Sequence, residues 1–120
     1  MDPVAQITLH DGLAFSSGFV APADYACVIY CRVPPNWIEA GQLKSQLLEA
    51  IFESLYGPGW RQGNEDGSQY VVRSVESRLL TPAEVEAAPW RTAHNDNAYH
   101  YWFYHASADG QLQAVESAEL

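Results

Sequence analysis

Two spacings of hydrophobic residues follow one another along this chain, and each predicts a different element. Residues 24–33 are apolar at alternate positions and also at most positions between them, which predicts a strand buried on both faces in the middle of a sheet. Residues 37–56 instead carry an apolar stripe with helical spacing. The members of the stripe are Ala40, Leu43, Leu47, Leu48, Ile51, Phe52 and Leu55. One long helix over about residues 37–56 is therefore predicted.

Boundary signals agree with this helix. Pro34 and Pro35 end the strand that precedes it. Asn36 stands three residues before Glu39, the spacing of an N-cap residue and a partner carboxylate in the first turn. Gly57 is well placed as the C-terminal cap, because a proline follows it and prevents continuation of the helix.

A second, short helix is predicted over about residues 82–88. Thr81 and Glu84 have the spacing of a capping box, and Pro82 occupies the first helical position, where proline is favoured. Pro89 ends this helix because a proline in a helix interior removes a hydrogen bond and clashes with the preceding turn.

The remaining strands are predicted from alternation and from Asp-Gly pairs, which favour tight hairpin turns. One hairpin joins residues 4–10 to 13–19, and another joins 99–108 to 111–115. A further strand covers about residues 69–79.

The order of these elements predicts an α+β fold. We expect a mainly antiparallel sheet covered on one face by the long helix and the short helix, in a single α+β domain over residues 1–120. From residue 24 onward the order resembles the β-α-β-β-α-β order of a ferredoxin-like fold, with an N-terminal β-hairpin added. Because the central strand is apolar on both faces, a partner subunit could cover the second face, which suggests a homodimer.

The net charge of the chain disfavours more classes of function than its overall composition does. Six Lys and Arg residues stand against 15 Asp and Glu residues, for a formal net charge of −9. This balance disfavours direct nucleic-acid binding, which needs clustered cations, and disfavours an anionic membrane surface. The first residues resemble no secretory signal, and no apolar run is long enough to span a membrane, so a cytoplasmic location is expected.

The aromatic segment over residues 99–105 is the first candidate site. Alternation places His100, Trp102 and Tyr104 on one face of a strand. Their rings are apolar and their tips are polar, as is common at protein interfaces and in ligand pockets, although a doubly covered core strand would use the same residues.

Three residues near this strand in sequence or fold complete the candidate binding set. Arg73 could bind an anion through its guanidinium group, although pairing with a local carboxylate is the simpler role. His94 and Asp96 precede the aromatic strand in an Asn/Asp-rich segment that also suits a turn. The chain contains no compact metal-ligand motif, so no metal or other cofactor is predicted.

Two cysteines, Cys27 and Cys31, are interpreted as small buried hydrophobic residues. On a strand, four residues span about 13 Å, which is too far for a disulfide. Both side chains then point to the same face, and their spacing matches no redox motif.

Two functions remain open after these observations. The favoured one is a small acidic protein-binding module that inhibits or regulates a basic partner protein, because the charge is negative and no nucleophile elbow or phosphate loop is present. The alternative is a small-ligand-binding or enzymatic α+β domain with a His/Tyr/Trp-lined pocket. A closed pocket beside the aromatic strand would favour the alternative, and an exposed aromatic surface near carboxylates would favour the first.

Overall fold

A five-stranded sheet and two α-helices make up most of the described structure. The computed structural model describes residues 2–10, 26–56, 74–94 and 99–120. The strands are β1 (Val4–His10), β2 (Ala26–Arg32), β3 (Ile38–Glu39), β4 (Gln42–Leu43), β5 (Ser74–Leu79), β6 (Tyr99–Ala106) and β7 (Leu112–Ala114). The helices are α1 (Ser45–Tyr56) and α2 (Pro82–Ala87).

Strand β2 lies at the centre of the sheet, as its two apolar faces predict. The order is β5-β1-β2-β6-β7, and β3 pairs separately with β4. Strand β1 is antiparallel to both β2 and β5, β2 is parallel to β6, and β6 is antiparallel to β7. Ile29 of β2 is in register with Ile7 of β1 and Trp102 of β6. The prediction of a mainly antiparallel sheet is confirmed.

Each face of the sheet has its own hydrophobic cluster, and the chain itself covers both. The first cluster joins the Ile29 face of β2 to Leu47 and Ile51 of α1. The second joins the Tyr30 face to residues around α2, including Trp90, and to Leu120. The expectation that both helices cover one face is therefore wrong. Since α2 and its neighbours occupy the face that a partner subunit was expected to cover, this feature no longer supports a homodimer.

The ferredoxin-like arrangement is also not formed. A ferredoxin-like sheet is antiparallel throughout, whereas β2 and β6 run parallel here. In addition, β1 lies inside the sheet, between β2 and β5. An N-terminal antiparallel pair does exist, but the partner of β1 is β2. The expected partner, 13–19, lies outside the described residues.

The first helix begins at Ser45, so the prediction of one long helix over 37–56 is wrong at its N-terminal end. A 3-10 turn and the β3–β4 pair precede it, and the chain reverses through Ala40 (φ 52°) and Gly41 (φ 75°). The Asn36 amide donates a hydrogen bond to the Ala108 carbonyl (2.9 Å) and caps no helix. Within the predicted apolar stripe, Leu43, Leu47, Ile51 and Phe52 are buried and Leu48 is half-buried, whereas Ala40, which precedes the helix, is exposed.

The N-terminus of α2 confirms the predicted capping box. The Glu84 amide donates to the Thr81 hydroxyl (3.2 Å), and the Thr81 amide donates to Glu84 Oε1 (3.0 Å). Arg78 of β5 forms a bidentate ion pair with Glu84: its Nη1 donates to Oε1 at 2.9 Å and its Nη2 donates to Oε2 at 2.7 Å. The helix ends at Ala87, and its C-cap residue, Ala88, has a left-handed backbone with a φ of 48°.

These contacts predict an acid-sensitive contribution to stability. The hydrogen bonds from Arg78, and next those from Thr81, lower the pKa of Glu84 from 4.5 to about 2. As the pH falls below 4.5, the unfolded chain takes up this proton first, so the contribution of Glu84 declines and is lost near pH 2. An NMR titration of the Glu84 carboxyl carbon should show the low pKa, and Arg78→Gln should raise it. Lys44→Gln should leave it unchanged. Titration of wild-type Glu84 near 4.5 would contradict this assignment.

The C-terminal hairpin forms as predicted, with strands of slightly different length. Gly110, with a φ of 89°, lies in the turn between β6 and β7. The indole Nε1 of Trp37 donates to the Ser107 carbonyl (2.9 Å), which places the ring against this turn. A Cβ atom at Gly110 would lie 3.1 Å from Cζ2 of Trp37. The turn between β6 and β7 therefore packs closely against the segment that precedes β3.

Candidate functional site

The aromatic strand presents one buried and one exposed ring on the side of the sheet that α1 covers. Tyr104 is 5% exposed and belongs to the cluster under α1. Burial raises its pKa, although a hydrogen bond shared with Ser54 acts in the opposite direction. Trp102, two residues earlier, is 37% exposed, and its ring lies 5.8 Å from that of His100, centroid to centroid. On this face of β6, Tyr104 therefore lies in the core and Trp102 lies at the surface.

Of the other predicted site residues, the structure describes His94, which does not lie on this face. His94 is exposed, and its Nδ1 lies 3.4 Å from the Thr92 carbonyl oxygen. It follows a 3-10 turn whose Trp90 belongs to the cluster on the opposite face. Arg73 and Asp96 lie outside the described residues. Of the predicted set, the structure brings together His100, Trp102 and Tyr104.

An open groove lies close to this aromatic face. It has a volume of about 630 Å³ and runs between α1 and the turn after β6. Its lining includes the acidic residues Glu53 and Asp109, and none of the described residues that line it is a lysine or arginine. A hydrogen bond from Ser107 lowers the pKa of Asp109, so this carboxylate is charged at neutral pH. Ser54 lines the groove and also bonds Tyr104, which places the groove on the same side of the sheet as Trp102.

A second cavity lies on the opposite face, beneath α2. It has a volume of about 570 Å³ and an apolar wall that includes Leu80, Val85, Trp90 and Leu120. Four charged residues also line it: Asp2, Arg32, Glu86 and Arg91. Neither this cavity nor the acidic groove is lined by His100 or Trp102. The sequence offered no sign of this cavity, because its walls come from distant segments that share no local motif.

The cysteines behave as the sequence predicts. Cys27 and Cys31 are both free and buried, in the cluster under α1. Burial raises the pKa of the Cys31 thiol to about 12, so it is protonated at neutral pH and is a poor nucleophile. Within the described ranges, no three His, Cys, Asp or Glu side chains are close enough together to hold a metal ion.

Comparisons with protein-family models, with curated proteins and with solved structures give no match. No described helix is long and apolar enough to cross a membrane. Two surfaces of the described structure are therefore candidate binding sites: the exposed end of the aromatic strand with its acidic groove, and the cavity beneath α2.

Proposed function

We propose that the protein is an acidic protein-binding module that regulates or inhibits a basic partner protein. The observation that carries this proposal is the position of exposed Trp102 on the same side of the sheet as a groove lined by Glu53 and Asp109. An aromatic anchor beside negative charge is suited to a partner surface that combines an apolar pocket with Lys or Arg side chains.

Trp102 supplies the apolar part of this surface. It is the exposed large hydrophobic side chain among the described residues, whereas Trp90 and Tyr104 are buried. Tryptophan is enriched among the residues that contribute most to binding, because one rigid side chain removes a large area from water. The neighbouring His100 ring, which is half-buried, gives the patch a polar edge.

The groove supplies the charged part. Glu53 and the nearby Glu49 are exposed on α1, and Asp109 is exposed on the turn after β6. A net charge of −9 over the whole chain attracts a basic partner from a distance and raises its association rate at low salt. Lys or Arg side chains from the partner could then enter the groove and pair with its carboxylates.

The test begins with capture of partners from the native host lysate at low and high salt, with identification of the retained proteins by mass spectrometry. The binding kinetics of the purified partner are then measured against wild-type protein, Trp102→Ala, Trp102→Tyr and Glu53→Gln. We expect Trp102→Ala to weaken binding at least tenfold, Trp102→Tyr to retain most of the affinity, and Glu53→Gln to slow association. Glu119→Gln, an exposed acidic position outside the groove lining, is the matched control.

Two results would refute the proposal. One is a partner that binds Trp102→Ala as tightly as wild type while circular dichroism shows both proteins folded. The other is an association rate that does not change between low and high salt, because a partner steered by charge must associate more slowly when the charges are screened.

A further inference from the structure

We propose that the cavity beneath α2 binds a small apolar molecule that carries a single carboxylate. It lies on the opposite face of the sheet from Trp102 and is independent of the protein-binding function. Its volume of about 570 Å³ falls within the range of roughly 300–1,000 Å³ that is common for small-molecule sites. Buried side chains of Leu80, Trp90 and Leu120 form an apolar wall that suits a hydrocarbon or aromatic body.

Arg32 supplies an oriented cation in the wall. Its Nε donates to the main-chain oxygen of Leu120 (2.6 Å), and its Nη1 donates to that of Asp2 (2.9 Å). These two bonds fix the plane of the guanidinium group, while its Nη2 has no partner within the described part of the chain. A fixed guanidinium with an unused donor suits a carboxylate oxygen.

Arg91 supplies a second cation at the rim. Its side chain is exposed, lines the cavity and makes no hydrogen bond or ion pair with any described residue. Arg78 provides the contrast, because it is held by Glu84. The chain has six Lys and Arg residues against 15 acidic residues, yet two of its arginines line one cavity, and neither forms an ion pair with a described carboxylate side chain.

A buried polar atom lies in the same region. His105 of β6 is in register with Arg32 of β2, so the two side chains share a face of the sheet. The Nε2 atom of His105 is buried and has no hydrogen-bond partner among the described residues. Such an atom is costly to bury alone. His105 is not part of the cavity lining, however, so a ligand bound beside Arg32 need not contact it.

The carboxylates of the lining set the charge of the ligand. Asp2 and Glu86 are exposed at the rim, so the four charged residues around the cavity balance to zero. These two carboxylates would repel a dianion such as a phosphate monoester about twice as strongly as a monoanion, so a monoanion that binds the arginines while its apolar body fills the cavity is the better fit. Glu86 should therefore oppose binding and Arg91 should favour it.

The test uses decanoate as the probe and decanol as its uncharged match. Titration of ¹⁵N-labelled protein is followed by the indole resonance of Trp90 and the amides of α2. We expect saturable binding of decanoate and at least tenfold weaker binding of decanol. Arg91→Gln should weaken decanoate binding at least threefold, Glu86→Gln should strengthen it, and Lys44→Gln, at a cation outside the cavity lining, should leave it unchanged.

Three results would overturn this inference: no saturable binding of decanoate, equal affinity for decanol, or equal affinity of Arg91→Gln and wild type. Arg91 and Glu86 are exposed, so their replacement leaves the core intact and the comparison does not depend on a variant that fails to fold. Because neither Trp102 nor the acidic groove lines this cavity, the outcome is separate from the test of protein binding.

Discussion

Replacing Trp90 with alanine will lower the free energy of unfolding by about 3–5 kcal/mol, the range for large-to-small changes in a core. Trp90 is 4% exposed, and its ring packs against Tyr30 at a centroid distance of 5.8 Å. The same change at Trp102, which is 37% exposed, should cost about 1 kcal/mol. Urea unfolding followed by far-ultraviolet circular dichroism measures both changes without relying on the fluorescence of the residue removed.

Comparing Trp90→Ala with Trp102→Ala is informative because the chemical change is identical and only the environment of the side chain differs. A cost at Trp90 as small as that expected for Trp102 would show that the cluster on the α2 face is not packed as described. A cost at Trp102 as large as that expected for Trp90 would make Trp102 a core residue, and its proposed role as an exposed anchor for a partner would then fail.

Replacing Gly110 with alanine will destabilise the protein by about 2–3 kcal/mol, the combined effect of a left-handed backbone and a crowded Cβ. The φ of Gly110 is 89°, and the added Cβ would lie 3.1 Å from the Trp37 ring. Gly41→Ala is the matched control. Gly41 also has a positive φ, of 75°, but a Cβ there would meet nothing within 4 Å. We expect it to cost about 1 kcal/mol, for the backbone alone.

The difference between these two variants measures the contact with Trp37. In the Trp37→Phe background, which narrows the ring, the extra cost of Gly110→Ala should shrink. Equal costs for Gly41→Ala and Gly110→Ala would mean that the indole moves away freely. The hydrogen bond from Trp37 to Ser107 would then contribute little to the position of the turn.

Features of the fold with local causes were predictable from the sequence. The two apolar faces of β2 indicate a central strand, and the structure places it there. The Thr81–Glu84 spacing indicates the start of α2, and both hydrogen bonds of the capping box form. The Asp109-Gly110 pair indicates the last hairpin, because glycine adopts the positive φ that its turn requires.

The start of α1 was not predictable in the same way. Ala40 and Leu43 continue the apolar spacing of the helix toward its N-terminus, so periodicity alone extends the helix to residue 37. The chain instead reverses at Ala40 and Gly41, and an alanine with a positive φ has no strong sequence signal. This conformation lets the side chains of Asn36 and Trp37 donate hydrogen bonds to the turn after β6, and sequence periodicity does not reveal such a long-range interaction.

In the candidate sites, too, the features with local causes were predictable and those that depend on long-range contacts were not. Strand alternation correctly puts His100, Trp102 and Tyr104 on one face, but the sequence alone does not say where the cover by α1 ends and Trp102 becomes exposed. The cavity beneath α2 is built from residues near both ends of the sequence together with Arg32 and the α2 region. Only the pairing of distant strands brings these residues together.

The parallel pairing of β2 with β6 determines when the protein can fold during synthesis. Ala26 pairs with Tyr99, so the central strand lacks one neighbour until most of the chain has been made. Early in synthesis β1 and β2 can pair only as a two-stranded hairpin, which is marginally stable in water. Strand β5 can add to the other edge of β1 once residue 79 has been made, but the β6 edge of β2 stays unpaired. Closing such long loops is slow because their entropy is lost before the new contacts form. The nascent chain therefore carries β2 with one edge unpaired for much of its translation, and an unpaired edge of an apolar strand is a site where chains can aggregate.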